Sequence, residues 1–312
     1  MDPRPIVVFI VLLGSAGVFA VLFLTDDMPC NNDEARKEAR NDSMRSLSLP
    51  LSTAEVQGKV VVVDSEGGRV KLACVNWYGA HMEAAVVNGL DTRPVADIAS
   101  TIASLGFNCV RLPFSLEQFY DDPEVAPVRV SADPSLTGLS SMEVLDATVA
   151  ALTSVGVMVI LNNHNSKAGW CCSEQDGEGL WYTHDYPEEM WTDALVRMAE
   201  RYVADPLVVG IDLRNELRKA HGHSPTWGDG NAKYDWAAAA QRAGDLVLEV
   251  NPGLLVLVEG TEYAGNLEGA RTHPIQLSRS TNPKSWLFIL VTSGPVSWST
   301  PDTCTLSGGT RA

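Results

Sequence analysis

The segment 208–217, VVGIDLRNEL, constrains the fold most, because an apolar run ends in it abruptly at a polar pair. The Val, Val, Ile and Leu of this run have the composition of a strand that is buried on both faces. Asn215 and Glu216 follow where such a strand should leave the sheet. In a parallel α/β barrel, the carboxyl ends of the strands form the rim that carries the chemistry. The segment therefore predicts a strand that delivers an amide and a carboxylic acid to such a rim.

Helical and strand patterns alternate along the chain. The predicted helices cover 95–105, 142–154, 190–202 and 235–250, and the predicted strands 107–114, 157–161, 207–213, 254–259 and 286–291. An entry hairpin of 59–63 and 69–75 precedes them. Such an order implies a parallel sheet. A doubly wound sheet would also alternate, but the sequence has no Gly-rich phosphate loop, so we expect a (β/α)8 TIM barrel.

Polar residues recur at the same end of successive predicted strands. They are Arg111, His164, Asn215 with Glu216, and Glu259, while Trp77 ends the strand before them. Because the carboxyl ends of neighbouring parallel strands meet at one edge, we expect these side chains to share a site. His221 and His223 lie in a Gly- and Pro-bearing loop without a clear third ligand, so we predict no metal site.

The first 24 residues predict export. Residues 6–24 are apolar or small and uncharged, which is about long enough to cross a bilayer as a helix. We predict that 1–24 is a transmembrane signal anchor in contact with the membrane, with a cleaved signal peptide as the alternative. The protein would then be anchored facing the extracellular or lumenal side, or secreted. Its net charge of −16 argues against nucleic acid as a partner.

The rest of the chain divides into three predicted regions. Residues 25–55 are polar and of mixed charge, typical of a stalk, and contain an N-glycosylation sequon at Asn41. Residues 56–277 are predicted as the barrel domain, and 278–312 as an atypical tail.

None of the six cysteines has zinc-ligand spacing. Cys74 and Cys109 are expected in buried strands as small apolar residues, and the pairing of Cys171 and Cys172, in a loop, stays open.

Four segments resemble glycoside hydrolase family 5, the cellulase-like retaining glycosidases. They read VDSEGGRVKLACVNWYG, GFNCVRLPF, VMVILNNHNSKAGWCC and VVGIDLRNELR. The resemblance covers about 56–271. It implies a (β/α)8 barrel that hydrolyses O-glycosidic bonds in β-glucan-like polysaccharides or related β-glycosides by a retaining double displacement. It implies an oligo- or polysaccharide substrate and no cofactor.

The resemblance also implies roles for the rim residues. Glu216 matches the general acid/base, and Asn215 the amide that binds the 2-hydroxyl of the cleaved sugar. Arg111 matches the arginine that steadies the nucleophilic carboxylate, and His164 a histidine that contacts the sugar. Trp77 could offer an aromatic face to a pyranose ring or simply pack. The acid must be protonated at rest, which burial and a neighbouring carboxylate can achieve.

The second glutamate of the family, its nucleophile at the end of the seventh strand, is not found in this sequence. After about Ser278 the chain becomes rich in Ser, Thr, Gly and Pro, so we expect an incomplete barrel without the last two strand–helix units. Glu259 or Glu262 could substitute, but a rim residue held by local hydrogen bonds is favoured. The alternative function is a non-catalytic carbohydrate-binding protein. A metal-dependent hydrolase is disfavoured, since no His-x-His follows the first strand.

Overall fold

A computed structural model describes residues 47–57 and 60–277 with their side chains, and residues 7–11, 19–21, 59 and 286–292 as backbone strands. The strands are β1 Val7–Val11, β2 Phe19–Val21, β3 Ser52–Val56, β4 Lys59–Val63, β5 Cys74–Asn76, β6 Cys109–Ser115, β7 Met158–Asn165, β8 Val208–Asp212, β9 Leu255–Glu259 and β10 Trp286–Thr292. The helices are α1 Val95–Ser104, α2 Leu116–Asp121, α3 Ser141–Ser154, α4 Glu188–Arg201, α5 Trp236–Val250 and α6 Glu268–Thr272.

One sheet of eight strands, in the order β1-β10-β9-β8-β7-β6-β5-β2, forms the centre of the fold. Its strands from β5 to β10 run parallel, with helices between successive strands from β5 to β9. This is the repeated strand–helix unit of a (β/α)8 barrel. Among the described residues, only part of a full barrel's set of helices is present. The predicted incomplete barrel is therefore confirmed.

The ends of this sheet contain strands from the N-terminal apolar segment. β1 pairs in parallel with β10, and β2 pairs antiparallel with β5. Every helix among the described residues is too short or too polar to cross a bilayer. The remainder of 1–46, with the sequon and most of the predicted stalk, lies outside the described residues, as do 278–285 and 293–312 of the tail. The signal anchor, membrane contact and export remain proposals.

The entry to the barrel differs from the predicted hairpin. β4 pairs along its length with β3, whereas the segment that follows meets only its end, through the bridge of Val63 with Arg69 and the bond from the N–H of Val70 to the carbonyl of Val62. Leu51 and Thr53 are buried at alternate positions, as the period of a strand requires. The folded region consequently begins before the predicted boundary at residue 56, because part of the supposed stalk has a strand pattern.

A cluster of three buried tryptophans fixes the ends of two central strands. Trp181, Trp191 and Trp236 have ring centroids 5.6–6.5 Å apart. Nε1 of Trp191 donates to the carbonyl of Leu213 at 2.9 Å, and Nε1 of Trp236 donates to the carbonyl of Glu259 at 2.8 Å. Helices α4 and α5 therefore hold the carboxyl ends of β8 and β9, where the predicted site residues lie.

Cys74 and Cys109 are both buried, as predicted, but they are not free thiols. The two residues lie opposite each other in the register of β5 and β6, and their sulfurs form a disulfide. Their burial agrees with the expectation that they behave as small apolar residues, and the disulfide between them was not predicted. Sequence spacing could not show that parallel neighbouring strands bring them side by side.

Candidate active site

A buried guanidinium stands at the centre of the rim. Arg111, on β6, donates from Nε and Nη2 to Oδ2 of Asp212 at 2.8 and 2.6 Å. Its Nη2 also reaches Oε1 of Glu259 at 2.8 Å and Oδ1 of Asn215 at 2.9 Å. Burial opposes the charge of Arg111, but the two carboxylates outweigh it and raise the pKa of Arg111. The network joins β6 to β8 and β9, across the intervening strand β7, through one cation.

Glu216 adjoins this network through its backbone. Its φ is +44°, in the left-handed region that costs a non-glycine residue about 1 kcal/mol or more. Its N–H donates to Oε2 of Glu259 at 2.6 Å, which helps to hold this conformation. Burial raises the pKa of the Glu216 carboxyl, and Arg111 and Arg218 only partly oppose the shift. The side chain therefore holds a proton to a higher pH than an ordinary glutamate.

Glu259 holds Arg111 and the backbone of Glu216 in place through hydrogen bonds. It is fully buried, with Oε1 bound to Arg111 and Oε2 to the N–H of Glu216. Burial and the charge of Asp212 raise its pKa well above the ordinary value, and Arg111 opposes them. These hydrogen bonds are those expected of a held rim residue, and the interpretation that Glu259 does not replace the nucleophile stays a prediction. Asp212, which completes the set, was missed, because one aspartate within an apolar strand gives no signal of its partners.

His164 lies at the end of β7 and packs against a second histidine. The rings of His81 and His164 have centroids 4.2 Å apart, and Nδ1 of His164 lies 2.7 Å from Oδ1 of Asn162. Burial lowers the pKa of His164 well below its usual value, helped by His81 and Arg111. Burial and Arg111 also lower the pKa of His81 to about 4. Both rings are therefore neutral near pH 7, and His81, which lies in the loop after β5, packs beside the rim.

The neutral state of His81 predicts a pH dependence of stability. Since its pKa is about 4 in the fold and about 6.5 when unfolded, the unfolded chain binds more protons between these values. Stability should therefore fall as the pH is lowered from about 6.5 to 4, by about 3 kcal/mol from this group. We expect His81→Phe to remove that part of the loss in urea unfolding at pH 7 and pH 4. The exposed His184→Phe is the control, and equal losses in both variants would contradict the assignment.

Trp77 is largely buried, and its Nε1 donates to the carbonyl of Asn88 at 2.9 Å. This burial favours packing over sugar contact, which stays a prediction. Trp170 is the exposed aromatic of the neighbouring loop, with 62% of its surface accessible, and it meets Tyr78 edge-on at 6.1 Å between centroids. Of the tryptophans near the rim, Trp170 is therefore better placed than Trp77 to offer a free ring face.

The carboxylate of Glu178 joins the two ends of the loop that carries Trp170. Glu178 accepts from the backbone N–H groups of Ser166 and Lys167 at 2.6 and 3.0 Å, and it forms a buried ion pair with Arg214 at 2.8 Å. The sequence analysis did not single out Arg214. In the sequence, Arg214 is marked only as a charged residue inside a largely apolar segment, and this does not indicate which residue it pairs with.

A second ion pair fixes the same loop above Glu216. Arg218 is almost fully buried and pairs with Asp176 at 2.6 Å, while its Nε donates to the carbonyl of Ser173. Cys171 and Cys172 are thereby brought to Asn215, whose Nδ2 lies 3.5 and 3.7 Å from their sulfurs. The structure thus brings Arg111, Asn215 and Glu216 together as predicted, with His164 near Arg111, and adds the loop as a wall.

The fold agrees with that of known proteins. Residues 63–285 match the family Cellulase (glycosyl hydrolase family 5), so the chain belongs to glycoside hydrolase family 5. It is 33% identical over 228 residues to an endoglucanase of Paenibacillus polymyxa, covering 69% of this chain and 55% of that protein. It is 38% identical over 248 residues to a glycosyl hydrolase 5 family protein of Chamaecyparis obtusa, covering 74% and 42%. The chain thus spans about half the length of the curated relatives it matches.

Solved structures lead to the same family. The catalytic domain of the major endoglucanase of Xanthomonas campestris pv. campestris matches with a TM-score of 0.66 and 33% identity, over 75% of this chain and 67% of that one. A hyperthermophilic endocellulase of the archaeon Pyrococcus horikoshii matches with a TM-score of 0.68 and 27% identity, over 82% and 73%. These similarities extend across the barrel described above.

Proposed function

We propose that this chain hydrolyses O-glycosidic bonds of β-glucan-like polysaccharides or related β-glycosides, with Glu216 as the general acid/base. The observation that carries the proposal is a half-buried carboxyl with a raised pKa, beside Asn215 and Arg111 and just after β8 in a family 5 barrel. The endoglucanases among its relatives support β-glucan as the substrate class.

The hydrogen bonds of the rim suit a sugar ring. Oδ1 of Asn215 accepts from Arg111, so a substrate hydroxyl would accept from its Nδ2 in place of the weak sulfur acceptors of Cys171 and Cys172. Oδ1 of Asn162 is an acceptor, so Nδ1 of His164 carries the proton and its Nε2 can accept from another hydroxyl. The exposed ring of Trp170 offers an apolar face to a pyranose. A hydrogen bond to the 2-hydroxyl should strengthen as the oxocarbenium-like transition state forms.

The second carboxylate decides between turnover and binding alone. A retaining double displacement needs a nucleophile about 5–5.5 Å from the acid/base carboxyl. Asp212 and Glu259 are the buried carboxylates of the described rim, and both are committed to Arg111. Among the described residues we therefore assign no nucleophile. This observation favours, as a second candidate, a protein that binds carbohydrate without cleaving it.

To separate the two functions, we would measure hydrolysis of cello-oligosaccharides and of an aryl β-cellobioside by the full chain. We expect turnover in which the β-anomer appears first in proton NMR spectra, as retention requires. Glu174→Gln, an exposed carboxyl of the neighbouring loop, is the control and should keep wild-type rates. Oligosaccharide binding should be measured in parallel by calorimetry.

Formate or azide sharpens this comparison, because a small anion can occupy the place of a missing nucleophile. Turnover that begins only when the anion is added would mean that the chain has the acid/base half alone. Binding without turnover, with and without the anion, would reject hydrolysis and leave the carbohydrate-binding function. Neither binding nor turnover would reject both candidates.

A further inference from the structure

The loop between β9 and α6 has a strained backbone close to the rim. Glu262, Tyr263 and Ala264 have φ angles of +56°, +59° and +62°. These values lie in the left-handed region, which is unfavourable for any residue with a Cβ atom. Three such residues in succession persist only where the surrounding structure fixes them, and conformations of this kind cluster at ligand-binding and active sites. Neither the network around Arg111 nor the proposed hydrolysis uses this loop.

Hydrogen bonds and burial fix this loop and leave one side chain at its surface. Thr261 and Asn266 close the loop by exchanging backbone hydrogen bonds at 3.0 and 2.9 Å. Ala264 is fully buried. Tyr263, which lies between these anchors, keeps 36% of its surface exposed, so the strained segment presents an aromatic ring to solvent.

Tyr263 lies directly beside the segment of Glu216. Its N–H donates to the carbonyl of Leu217, the residue after the candidate acid/base, at 2.9 Å. The Cζ atom of Arg218 lies over the Tyr263 ring, 5.8 Å from its centroid, within the range of a cation–π contact. Arg218 is held there by its ion pair with Asp176 and by donating from Nη1 to the carbonyl of Glu216 at 2.9 Å. One face of the ring therefore meets a fixed cation, and the exposed part is left for a ligand.

We propose that Tyr263 binds the sugar that leaves on hydrolysis, by stacking its ring on that pyranose. The strands run in the order β7-β8-β9, so Glu216, after β8, lies between His164 on β7 and Tyr263 after β9. His164 is expected to contact the sugar on one side of the scissile bond, and Glu216 would protonate the oxygen of the leaving sugar on the other. The assignment to the leaving sugar rests on the proposed function, whereas carbohydrate binding by Tyr263 does not.

The test compares variants of Tyr263 in the full chain on two substrates. The leaving group is a sugar in cellopentaose and dinitrophenolate in dinitrophenyl β-cellobioside. We expect Tyr263→Ala to lower kcat/KM about tenfold on cellopentaose and less than about threefold on the aryl substrate, because only the first places a pyranose on the ring. Tyr263→Phe keeps the ring and should retain the parent's rates. Val203→Ala, which truncates an exposed side chain between α4 and β8 at the end of the barrel away from the rim, is the control.

A glycine variant separates the ring from the backbone, since glycine adopts a positive φ without the Cβ penalty. Tyr263→Gly should unfold at no lower urea concentration than Tyr263→Ala and be equally impaired on cellopentaose. Recovery of the parent's rate in Tyr263→Gly would overturn the assignment. Equal losses on both substrates in Tyr263→Ala, or no loss on cellopentaose, would also overturn it and leave the proposed hydrolysis standing.

Binding measurements keep the two proposals distinguishable. If the chain cleaves no glycoside, the proposed hydrolysis fails, and calorimetry with cellopentaose still tests the ring. An affinity of Tyr263→Ala about tenfold below that of Tyr263→Phe would support the carbohydrate contact. Equal affinities of the two variants, or no binding by the parent, would refute it.

Discussion

Replacing Arg111 with methionine should lower the free energy of unfolding by about 3–5 kcal/mol, the usual cost of removing one partner from a buried ion pair. Asp212 and Glu259 are both fully buried and both bind this guanidinium at 2.6–2.8 Å. Without the cation, two carboxyl groups would be left in a space that cannot solvate their charges. Urea unfolding at pH 7 measures the loss.

Arg242→Met is the matched control for this variant. Arg242 pairs with Glu188 at 2.6 Å, but half of its side chain is exposed, and exposed pairs contribute about 1 kcal/mol or less. The double variant Arg111→Met/Glu259→Gln should recover part of the loss, because it removes one of the stranded charges. A loss in Arg111→Met no larger than that in Arg242→Met would show that the buried network does not hold these strands together.

Replacing Glu216 with glutamine should lower kcat/KM for cello-oligosaccharides by about 10²–10⁴-fold, the usual contribution of general acid–base catalysis. Glutamine has the same shape, and the backbone bond from residue 216 to Glu259 needs no carboxyl. The fold should therefore persist, and unfolding should show a midpoint close to that of the parent. A rate within threefold of the parent would remove Glu216 from the chemistry.

The sequence could predict the rim residues because they obey a positional rule. Asn215 and Glu216 follow the apolar strand β8, and parallel strands present these ends at one edge. Arg111 was expected at the end of its strand but lies inside β6, and its long side chain reaches the same site. Helices with clear termination signals were predicted closely; the helix expected over 142–154 is Ser141–Ser154, preceded by a capping box of Ser140 and Glu143. Local signals of this kind are complete within a few residues of the chain.

The partners across the fold could not be predicted in this way. Asp212, Glu178 and Asp176 each bind an arginine that is distant in sequence or on another element, and only the sheet register brings these pairs together. The pairing of β4 with β3 was missed for the same reason, since the Gly-containing turn after β4 gave the stronger local signal. Hydropathy alone also cannot separate a membrane span from buried strands, which matters for residues 6–24.

The proton-donor role of Glu216 is tested most directly by comparing two aryl β-cellobiosides, one with phenol and one with dinitrophenol as the leaving group. Dinitrophenolate departs without a proton, whereas phenolate needs one, so the acid matters only for the second. We predict that Glu216→Gln keeps most of the parent's rate of aglycone release from the dinitrophenyl substrate and loses at least a hundredfold of kcat/KM on the phenyl substrate. Equal losses on both substrates, in a variant that unfolds like its parent, would contradict the role.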